Sequence, residues 1–589
     1  MNPTRVIRPV KRARWLYACV VAVLVIFGVR IFYLQIIQHE HYRLAALADQ
    51  FKEYQIAPTR GLIKAHDGDA IVPIVLNQRL YTVYADPSLV KEADEAAETL
   101  AATLGGKTGD YIDKLRTEKT RYVVIAKKVT EEQKQEILKH KYAGIGAQDQ
   151  YYRIYPNGTL GSQLLGFVNN DGQGTYGIEQ ALDVELKGVP GQLKAVTDVN
   201  GVPLAANRDN VLIAPEPGKD VVLTIDLAMQ KQLETILKNG LDKAKSGSGS
   251  ALIIDPRDGA IKAMANYPTY DPSNYGAVED ANLFNNSAVS SSLEVGSIMK
   301  PLTAAAALNL GAIKADTTYF DPAQWPVDDR KITNIEEDGG AARRSVQDIL
   351  SLSLNTGATW FLMQMSEQGK TEITKSGRER WHDYMVNHFR FGKPTGIEQG
   401  YEDSGYVPDP NEGFGLNLTY ANTAFGQGMQ ATPLQMAGAF SAIVNGGTYY
   451  QPRLIDMTIS GEGKSDVKAP IVSGQNVVSP STSADMRRLL EGVIASKTYI
   501  RPAFNLKQYS VGGKTGTAEI AKPGGGYHEH EFNGTYLGFV GGDMPQYVIA
   551  IRVNQPKIGG YAGTAAAQPI FVELAHMLID DFGVTPRGH

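Results

Sequence analysis

The sequence predicts an α+β protein that one N-terminal helix holds to a membrane. Three observations carry this prediction. A basic tail is followed by one long apolar run at residues 15–37. From there to about residue 215, short strand-like runs alternate with helical stretches. After residue 216, strands, a helical block, more strands and a terminal helix follow in that order, which is typical of helices packed against a mainly antiparallel sheet.

The composition excludes several classes of protein. The chain has 589 residues, of which 43% are hydrophobic and 21% charged, as in ordinary globular proteins. Its single cysteine, Cys19, cannot form an internal disulfide, and one thiol cannot build a thiolate zinc site. The formal net charge of −5 argues against nucleic-acid binding, which needs a basic surface. We predict no cofactor and no metal site.

The first 37 residues read as a short cytoplasmic tail and a membrane anchor. Residues 1–14 contain five basic side chains and no acidic one, and the apolar run 15–37 follows directly. About twenty apolar residues suffice to cross a bilayer as a helix. A cleavable signal peptide is disfavoured because residues 30–38 offer no small-x-small cleavage site. The positive-inside rule therefore predicts a single-pass protein of the cytoplasmic membrane, with residues 1–14 inside and the residues after about 37 outside.

Residues 38–215 are predicted to form an extended α+β pedestal without an evident site. Its first part, 39–60, has Leu44, Leu47 and Phe51 at helical spacing and is predicted to be a helix leaving the membrane. Strand-like and helical stretches follow in alternation: strands at 81–84 and 122–125, and helices at 91–104 and 131–139.

Residues 216–589 are predicted to form the largest domain. A strand at 220–225 leads to Asp226, which can cap the next helix. Runs 251–255 and 259–264 read as a hairpin. The remaining predicted elements are a mainly helical block at 296–365, strands at 510–520, 535–541 and 547–553, and a final helix at 569–581.

Ser297 and Lys300 form the first candidate catalytic pair. They lie three residues apart at the start of an apolar helix, so one helical turn can bring the amine over the serine oxygen. A serine hydroxyl is a poor nucleophile until a base removes its proton, and a desolvated lysine can be that base. Alone, such a pair arises often by chance.

Ser353 and Asn355 form a second pair, within a turn between predicted helices. The serine hydroxyl can relay a proton, and the amide can hold a substrate carbonyl. Taken alone, a serine in such a place is more often a helix cap.

The third segment is Lys514-Thr515-Gly516-Thr517, in a strand-like run. A lysine and two threonine hydroxyls suit a carboxylate ligand, with charge supplied by the lysine. Gly516 would let a substrate backbone lie against the strand edge. A phosphate-binding P-loop is disfavoured, because Gln508 stands where that motif needs glycine.

His528, Glu529 and His530 could be metal ligands, but three glycines at 524–526 precede them and no third ligand partner is evident. A solvated loop is the preferred interpretation.

The order Ser-x-x-Lys, Ser-x-Asn, Lys-Thr-Gly is the motif set of penicillin-binding proteins and serine β-lactamases. The whole chain resembles a class B penicillin-binding protein. Segments outside the catalytic motifs also resemble family markers: Arg60-Gly61-Leu62-Ile63, Arg153 to Pro156, Gly174 to Glu179, Leu293 to Pro301 and Gly426-Gln427-Gly428. The fold that this resemblance implies is a pedestal of dimerisation type, residues 38–215, followed by a transpeptidase domain, residues 216–589, with helices on both faces of an antiparallel sheet and a helical subdomain.

The resemblance also implies the chemistry. Ser297 would be acylated by a D-Ala-D-Ala stem peptide of peptidoglycan, and an amine of a neighbouring stem would then take the acyl group to form a cross-link. Lys300 would be the general base, Ser353 and Lys514 would move the proton to the leaving amine, and Asn355 would hold the peptide. Two further roles are implied: carboxylate binding by Lys514, Thr515 and Thr517, with Gly516 between them, and an oxyanion hole from the backbone N–H groups of Ser297 and Thr517.

The implied partners are peptidoglycan strands derived from lipid II, β-lactam antibiotics that acylate Ser297, a polytopic membrane glycosyltransferase and divisome proteins. Phe425 and the segment 400–405 favour the division (septal) subgroup. The alternatives are an elongation-type transpeptidase, a D,D-carboxypeptidase or β-lactamase that uses water as the acceptor, and a non-catalytic β-lactam sensor or scaffold.

Overall fold

The computed structural model describes residues 10–42, 51–196, 211–334, 340–367, 369–522 and 526–588. Two compact units divide the chain. The first consists of Met1–Thr59 and Gly188–Pro217, and the second of Arg60–Lys187 and Gly218–His589.

The secondary structure mixes helices and strands along the whole chain, as predicted. The strands are β1 (Phe51–Ile56), β2 (Ile63–Asp67), β3 (Ala70–Ala85), β4 (Val123–Val129), β5 (Ile145–Ile154), β6 (Phe167–Val168), β7 (Gly174–Thr175), β8 (Gly191–Val196), β9 (Val211–Ile213), β10 (Asp220–Asp226), β11 (Ser248–Ile254), β12 (Ile261–Tyr267), β13 (Thr318–Asp321), β14 (Gln324–Val327), β15 (Arg330–Thr333), β16 (Ala342–Ser345), β17 (Tyr449–Tyr450), β18 (Ile455–Ile459), β19 (Ser465–Val467), β20 (Val472–Gly474), β21 (Ser510–Ala521), β22 (Tyr527–Gly541) and β23 (Pro545–Asn554). The α-helices are α1 (Val10–Phe32), α2 (Ala93–Leu104), α3 (Thr108–Leu115), α4 (Glu131–Lys139), α5 (Ser162–Leu165), α6 (Gly177–Ala181), α7 (Asp183–Lys187), α8 (Leu227–Lys243), α9 (Ser287–Ser290), α10 (Lys300–Asn309), α11 (Val346–Leu352), α12 (Asn355–Ser366), α13 (Lys375–Asp383), α14 (Leu416–Thr423), α15 (Pro433–Val444), α16 (Pro480–Ser496) and α17 (Gln568–Asp581).

The first unit begins with the apolar helix. Helix α1 continues into one π-helical turn, Tyr33–Ile37. Residues 13–37 are long and apolar enough to cross a membrane, and the described residues contain no second helix of this kind. This helix suggests a membrane anchor.

The predicted helix at 39–60 is wrong over its last part, because Phe51–Ile56 is strand β1. Strands β1, β8 and β9 form an antiparallel sheet in which β1 pairs with β8. The apolar residues Tyr54 and Ile56 are two apart, which fits a strand as well as a helix, and pairing with β8 decides between them. Leu44 and Leu47, which also suggested the helix, lie outside the described residues.

In the second unit, strands from both parts of the chain share one sheet. Its strand order is β19-β18-β10-β2-β3-β4, and β5 also pairs with β3. Strand β2 lies parallel to β10, which follows it by about 150 residues in the sequence. The far end of β3 belongs to a small separate core that includes Val83, Leu100 and Ile125.

A five-stranded antiparallel sheet, ordered β12-β11-β23-β22-β21, organises the largest part of the second unit. Alternate residues of β11 enter different cores: Leu252 packs with helices α10, α12 and α15, whereas Ile253 packs with α8 and α17. Helices therefore cover both faces of the sheet, as predicted. Strand β21, which carries Lys514-Thr515-Gly516-Thr517, is an edge strand of this sheet.

The block at 296–365 is less helical than predicted, because two hairpins interrupt it. Strands β14 and β15 form one of them, and β13 pairs with β16. Residues 324–327, QWPV, alternate between exposed and more buried positions, and in residues 330–333, RKIT, Ile332 is buried between exposed neighbours. Strand patterns this short do not stand out among helices.

Candidate active site

Ser297 lies in a 3₁₀ helix, Gly296–Met299, that leads directly into α10. The backbone is tightly enclosed here. Gly296 has φ of 64°, and a Cβ atom on it would lie 2.7 Å from the carbonyl oxygen of Thr517. Its N–H donates to the carbonyl of Gly426 at 3.0 Å, where a Cβ on Gly426 would lie only 2.1 Å from the Gly296 oxygen. Both glycines are required for this close approach, and it sets Ser297 against strand β21.

Lys300 is fully buried and reaches the second motif. Its Nζ donates to Ser353 Oγ at 3.1 Å and to Asn355 Oδ1 at 2.8 Å, and it also donates to the Ser353 carbonyl. The first two motifs are thus joined through the lysine amine.

Ser353 and Asn355 lie between two helices, as predicted. Ser353 ends α11 in a left-handed conformation with φ of 62°, and Asn355 is the first residue of α12. A non-glycine residue in this conformation is uncommon and is typical of functional sites. The Asn355 amide also donates to the Thr333 carbonyl at 3.2 Å, so the hairpin β14–β15 helps to orient it.

Lys514 is 2% exposed, and its Nζ donates to the Thr515 carbonyl at 2.9 Å. Thr517 Oγ1 accepts a hydrogen bond from the N–H of Gly563 at 3.1 Å. A hydroxyl that accepts from a backbone N–H keeps its own hydrogen for another acceptor. The Thr517 hydroxyl is therefore held as a donor, which suits a substrate carboxylate.

Gly516 also has a reason within the protein. A Cβ atom here would lie 2.2 Å from Thr535 Oγ1 and 2.9 Å from the carbonyl oxygen of Val295. The absent side chain makes room for the protein's own segment before Ser297, and a substrate backbone beside Gly516 stays a prediction. Only the sheet register, which places Gly516 opposite Thr535, shows the packing reason.

Glu294 is a charged residue beside the site that the sequence did not single out. Its Oε1 accepts from the Gly428 N–H at 3.0 Å and from the Tyr527 hydroxyl at 3.2 Å, while its buried Oε2 has no hydrogen-bond partner among the described residues. Burial raises the pKa of Glu294, and the nearby Glu519 raises it further. Burial also raises the pKa of the Tyr527 hydroxyl. The nearby GQG segment was noticed only as a family marker.

His528, Glu529 and His530 lie in strand β22 rather than in a loop. In the part of the chain that the structure describes, no three His, Cys, Asp or Glu side chains are grouped so that they could hold a metal ion.

Comparisons with known proteins agree on one family. The penicillin binding protein transpeptidase domain matches residues 249–576, and the penicillin-binding protein dimerisation domain matches residues 55–223. Stage V sporulation protein D of Bacillus subtilis is 32% identical over 98% of this chain and 87% of its own length. The peptidoglycan D,D-transpeptidase FtsI of Escherichia coli K12 is 24% identical over 97% of this chain and 92% of its own.

Solved structures share the fold. Penicillin binding protein 2X from Streptococcus thermophilus superposes with a TM-score of 0.72 and 24% identity, covering 90% of this chain and 80% of that one. Penicillin binding protein 3 from Mycobacterium tuberculosis, solved in complex with aztreonam, gives a TM-score of 0.67 with 24% identity and covers 90% of this chain and 98% of that one.

Proposed function

The chain belongs to the class B penicillin-binding proteins, and on this basis we propose that it is a serine D,D-transpeptidase that cross-links peptidoglycan during septum formation. The observation that carries the proposal is the convergence of the three motifs. The segment that bears Ser297 lies against the edge strand with Lys514 and Thr517, and Lys300, three residues after Ser297, donates to Ser353 and Asn355. Relatives of similar length include the E. coli protein named peptidoglycan D,D-transpeptidase FtsI, which supports the division role.

In the first half-reaction, Ser297 Oγ attacks the carbonyl carbon of the penultimate D-Ala of a stem peptide. Lys300, as the free amine, takes the hydroxyl proton, and the peptide C–N bond breaks after the tetrahedral intermediate forms. Ser353 and Lys514 pass a proton to the leaving D-Ala amine. The product is an ester between Ser297 and the shortened stem.

In the second half-reaction, the amine of a neighbouring stem attacks the ester carbonyl. It loses a proton through the same lysine and serine groups, and Ser297 regains its hydrogen when the ester C–O bond breaks. The backbone N–H groups of Ser297 and Thr517 stabilise the oxyanion in both halves, and losing one such donor typically costs about two to three decades in rate.

Substrate binding follows from the edge position of β21. Lys514, Thr515 and Thr517 hold the terminal carboxylate of the donor stem, and Asn355 holds its backbone. Gly563 contributes indirectly, because its N–H orients the Thr517 hydroxyl toward the carboxylate.

We also propose how the chain is placed in the cell. Residues 15–37 anchor it in the cytoplasmic membrane with residues 1–14 inside, which the basic tail supports. Residues 38–215 form the pedestal and residues 216–589 the catalytic domain outside, where a polytopic glycosyltransferase and division proteins supply strands and regulation. Septal localisation of a fluorescent fusion supports the division role; uniform side-wall localisation contradicts it.

The activity is tested by labelling the full-length protein with a fluorescent penicillin. The wild type and the control Ser273→Ala, which alters an exposed serine of the same domain, should be labelled, whereas Ser297→Ala should not. The labelled peptide should carry the adduct on Ser297. Label that survives Ser297→Ala contradicts the proposal. With a stem-peptide donor and an amine acceptor, cross-linked product supports transpeptidation, whereas hydrolysis alone supports a carboxypeptidase.

A further inference from the structure

The six residues before Ser297, 291–296, form a segment that we call the nucleophile strap. Every residue of the strap makes a hydrogen bond outside the strap, and three of the six bond to one segment, residues 426–431. The attachments are Ser291 to Arg552, Ser292 to Asp403, Leu293 to Ala431, Glu294 to Gly428 and Tyr527, Val295 to Thr535, and Gly296 to Gly426. The position of the Ser297 backbone is therefore set by these contacts rather than by a regular element.

Two of the attachments come from neighbouring positions on the central sheet. Thr535 of β22 lies directly opposite Arg552 of β23, and on its other side it lies opposite Gly516 of β21. Directly opposite residues project to the same face of a sheet. Gly516, Thr535 and Arg552 thus form one row across three strands, and this row faces the strap.

Arg552 holds the beginning of the strap. Its Nη1 donates to the Ser291 carbonyl at 2.9 Å and to Ser291 Oγ at 3.0 Å, and its Nε donates to Asn554 Oδ1 at 2.6 Å. These acceptors are neutral, and burial lowers the pKa of Arg552 to about 10. A buried guanidinium costs free energy unless its hydrogens are well matched, and here the matching acceptors include two oxygens of Ser291, the first residue of the strap.

Thr535 holds the end of the strap. Its side chain is 2% exposed, and its hydroxyl donates to the Val295 carbonyl at 3.2 Å. The lack of a side chain at Gly516 leaves the space in which this contact is made. The contact lies two residues before Ser297 and one strand away from Thr517.

We propose that Thr535 and Arg552 are positioning residues that keep the Ser297 N–H in register with the Thr517 N–H, so that the two can share one oxyanion. The proposal rests on the function proposed above. Because the strap is attached to the same sheet that carries β21, one rigid sheet fixes the positions of both the Ser297 N–H and the Thr517 N–H. A displacement of about 1 Å at a reacting group can cost on the order of a hundredfold in rate.

This role predicts a separation between binding and reaction. Lys514, Thr515 and Thr517 lie on β21, which its pairing with β22 holds in the sheet, so the noncovalent complex with a β-lactam should form normally when the strap shifts. Acylation of Ser297 should slow, because the oxyanion then meets only one well-placed donor.

The test measures the noncovalent dissociation constant and the acylation rate constant separately, by stopped-flow with a chromogenic β-lactam on the full-length protein. Thr535→Val keeps the shape of the side chain and removes its hydrogen bond, and Thr535→Ser is the matched control that keeps the hydroxyl. Arg552→Lys keeps the charge and removes the forked donation to Ser291.

We expect Thr535→Val and Arg552→Lys to lower the acylation rate constant about tenfold or more while the dissociation constant changes less than twofold, and Thr535→Ser to stay within about twofold of the wild type in both. Equal acylation rate constants for Thr535→Val and Thr535→Ser overturn the proposal. A weaker noncovalent complex with an unchanged acylation rate constant also overturns it. If Arg552→Lys does not fold, the threonine pair still decides. An unlabelled wild type would instead refute the proposed function.

Discussion

Two regions of the second unit bury charged side chains, and they do so in opposite ways. In the predicted pedestal, Glu179 is fully buried between Arg60 and Arg153, with its two oxygens 2.6 Å and 2.8 Å from guanidinium nitrogens. Asp183 lies 2.6 Å from Arg60. Cations and carboxylates are matched one to one, which compensates the desolvation of each.

At the active site, two buried basic side chains donate to uncharged oxygens. Lys300 donates to oxygens of Ser353 and Asn355, and Arg552 donates to oxygens of Ser291 and Asn554. The pedestal cluster thus pairs opposite charges, whereas Lys300 and Arg552 contact residues that belong to the catalytic motifs or lead into them.

The largest expected effect concerns Lys300. Lys300→Met removes the proposed base and should lower the acylation rate constant about a thousandfold. The change in the free energy of unfolding should be smaller than for the pedestal cluster, because the hydrogen bonds lost to Ser353 and Asn355 are to neutral oxygens. β-Lactam kinetics and urea denaturation measure the two quantities.

Lys375→Met, at an exposed lysine on α13, is the control and should change neither quantity. If Lys300→Met is acylated at a rate close to that of the wild type, Lys300 is not the base, and the contrast between the two regions is weakened.

Glu179→Gln should give the next largest effect, and on stability instead of rate. It replaces an acceptor oxygen with an NH₂ group that faces a guanidinium, and breaking a buried ion pair costs about 3–5 kcal/mol. Urea denaturation should show this loss, while the acylation rate per folded molecule should stay near the wild-type value. A folded Glu179→Gln protein with slow acylation would show that the pedestal cluster also acts on the site.

Glu294 should give the smallest effect, and one that depends on pH. Because burial and Glu519 raise its pKa above the ordinary value of 4.5, the folded protein binds its proton more tightly than the unfolded chain does. The stability that the protonated Glu294 carboxyl contributes is fully present below pH 4.5, and it is lost as the pH rises through the pKa of Glu294 in the folded protein.

Glu294→Gln cannot ionise, so its stability relative to the wild type should increase between pH 4.5 and 7. Tyr527→Phe serves as the control, since it removes one hydrogen bond to Glu294 and leaves the carboxyl titratable. If the difference in the free energy of unfolding between Glu294→Gln and the wild type stays constant from pH 4.5 to 7, the result contradicts the raised pKa of Glu294.

Much of the fold could be predicted because local patterns specify local structure. Helix α4 agrees with its predicted span, and Thr130 and Gln133 form a capping box at its start. Strand β10 and the Asp226 cap of α8 were predicted from a short apolar run followed by a capping residue. Strand β1 and the hairpins β13–β16 were missed, since short strands depend on partners that are distant in the sequence.

The identity of the three candidate motifs was determined by the sequence, because spacing within each motif is local and their order is diagnostic. The structure brings Ser297, Lys300, Ser353, Asn355 and the β21 segment together, and their roles stay predictions until the variants are measured. For Gly516 the structure adds a packing reason that the sequence did not suggest.

The tertiary structure alone decided what surrounds the motifs. Arg552 and Thr535 belong to strands predicted from the sequence, but only the register across β21, β22 and β23 places them under the nucleophile strap. The physical reason is the distance along the sequence over which each kind of information acts. Periodicity reports which face of an element is apolar, whereas contacts between residues hundreds of positions apart arise from packing, which no local pattern encodes.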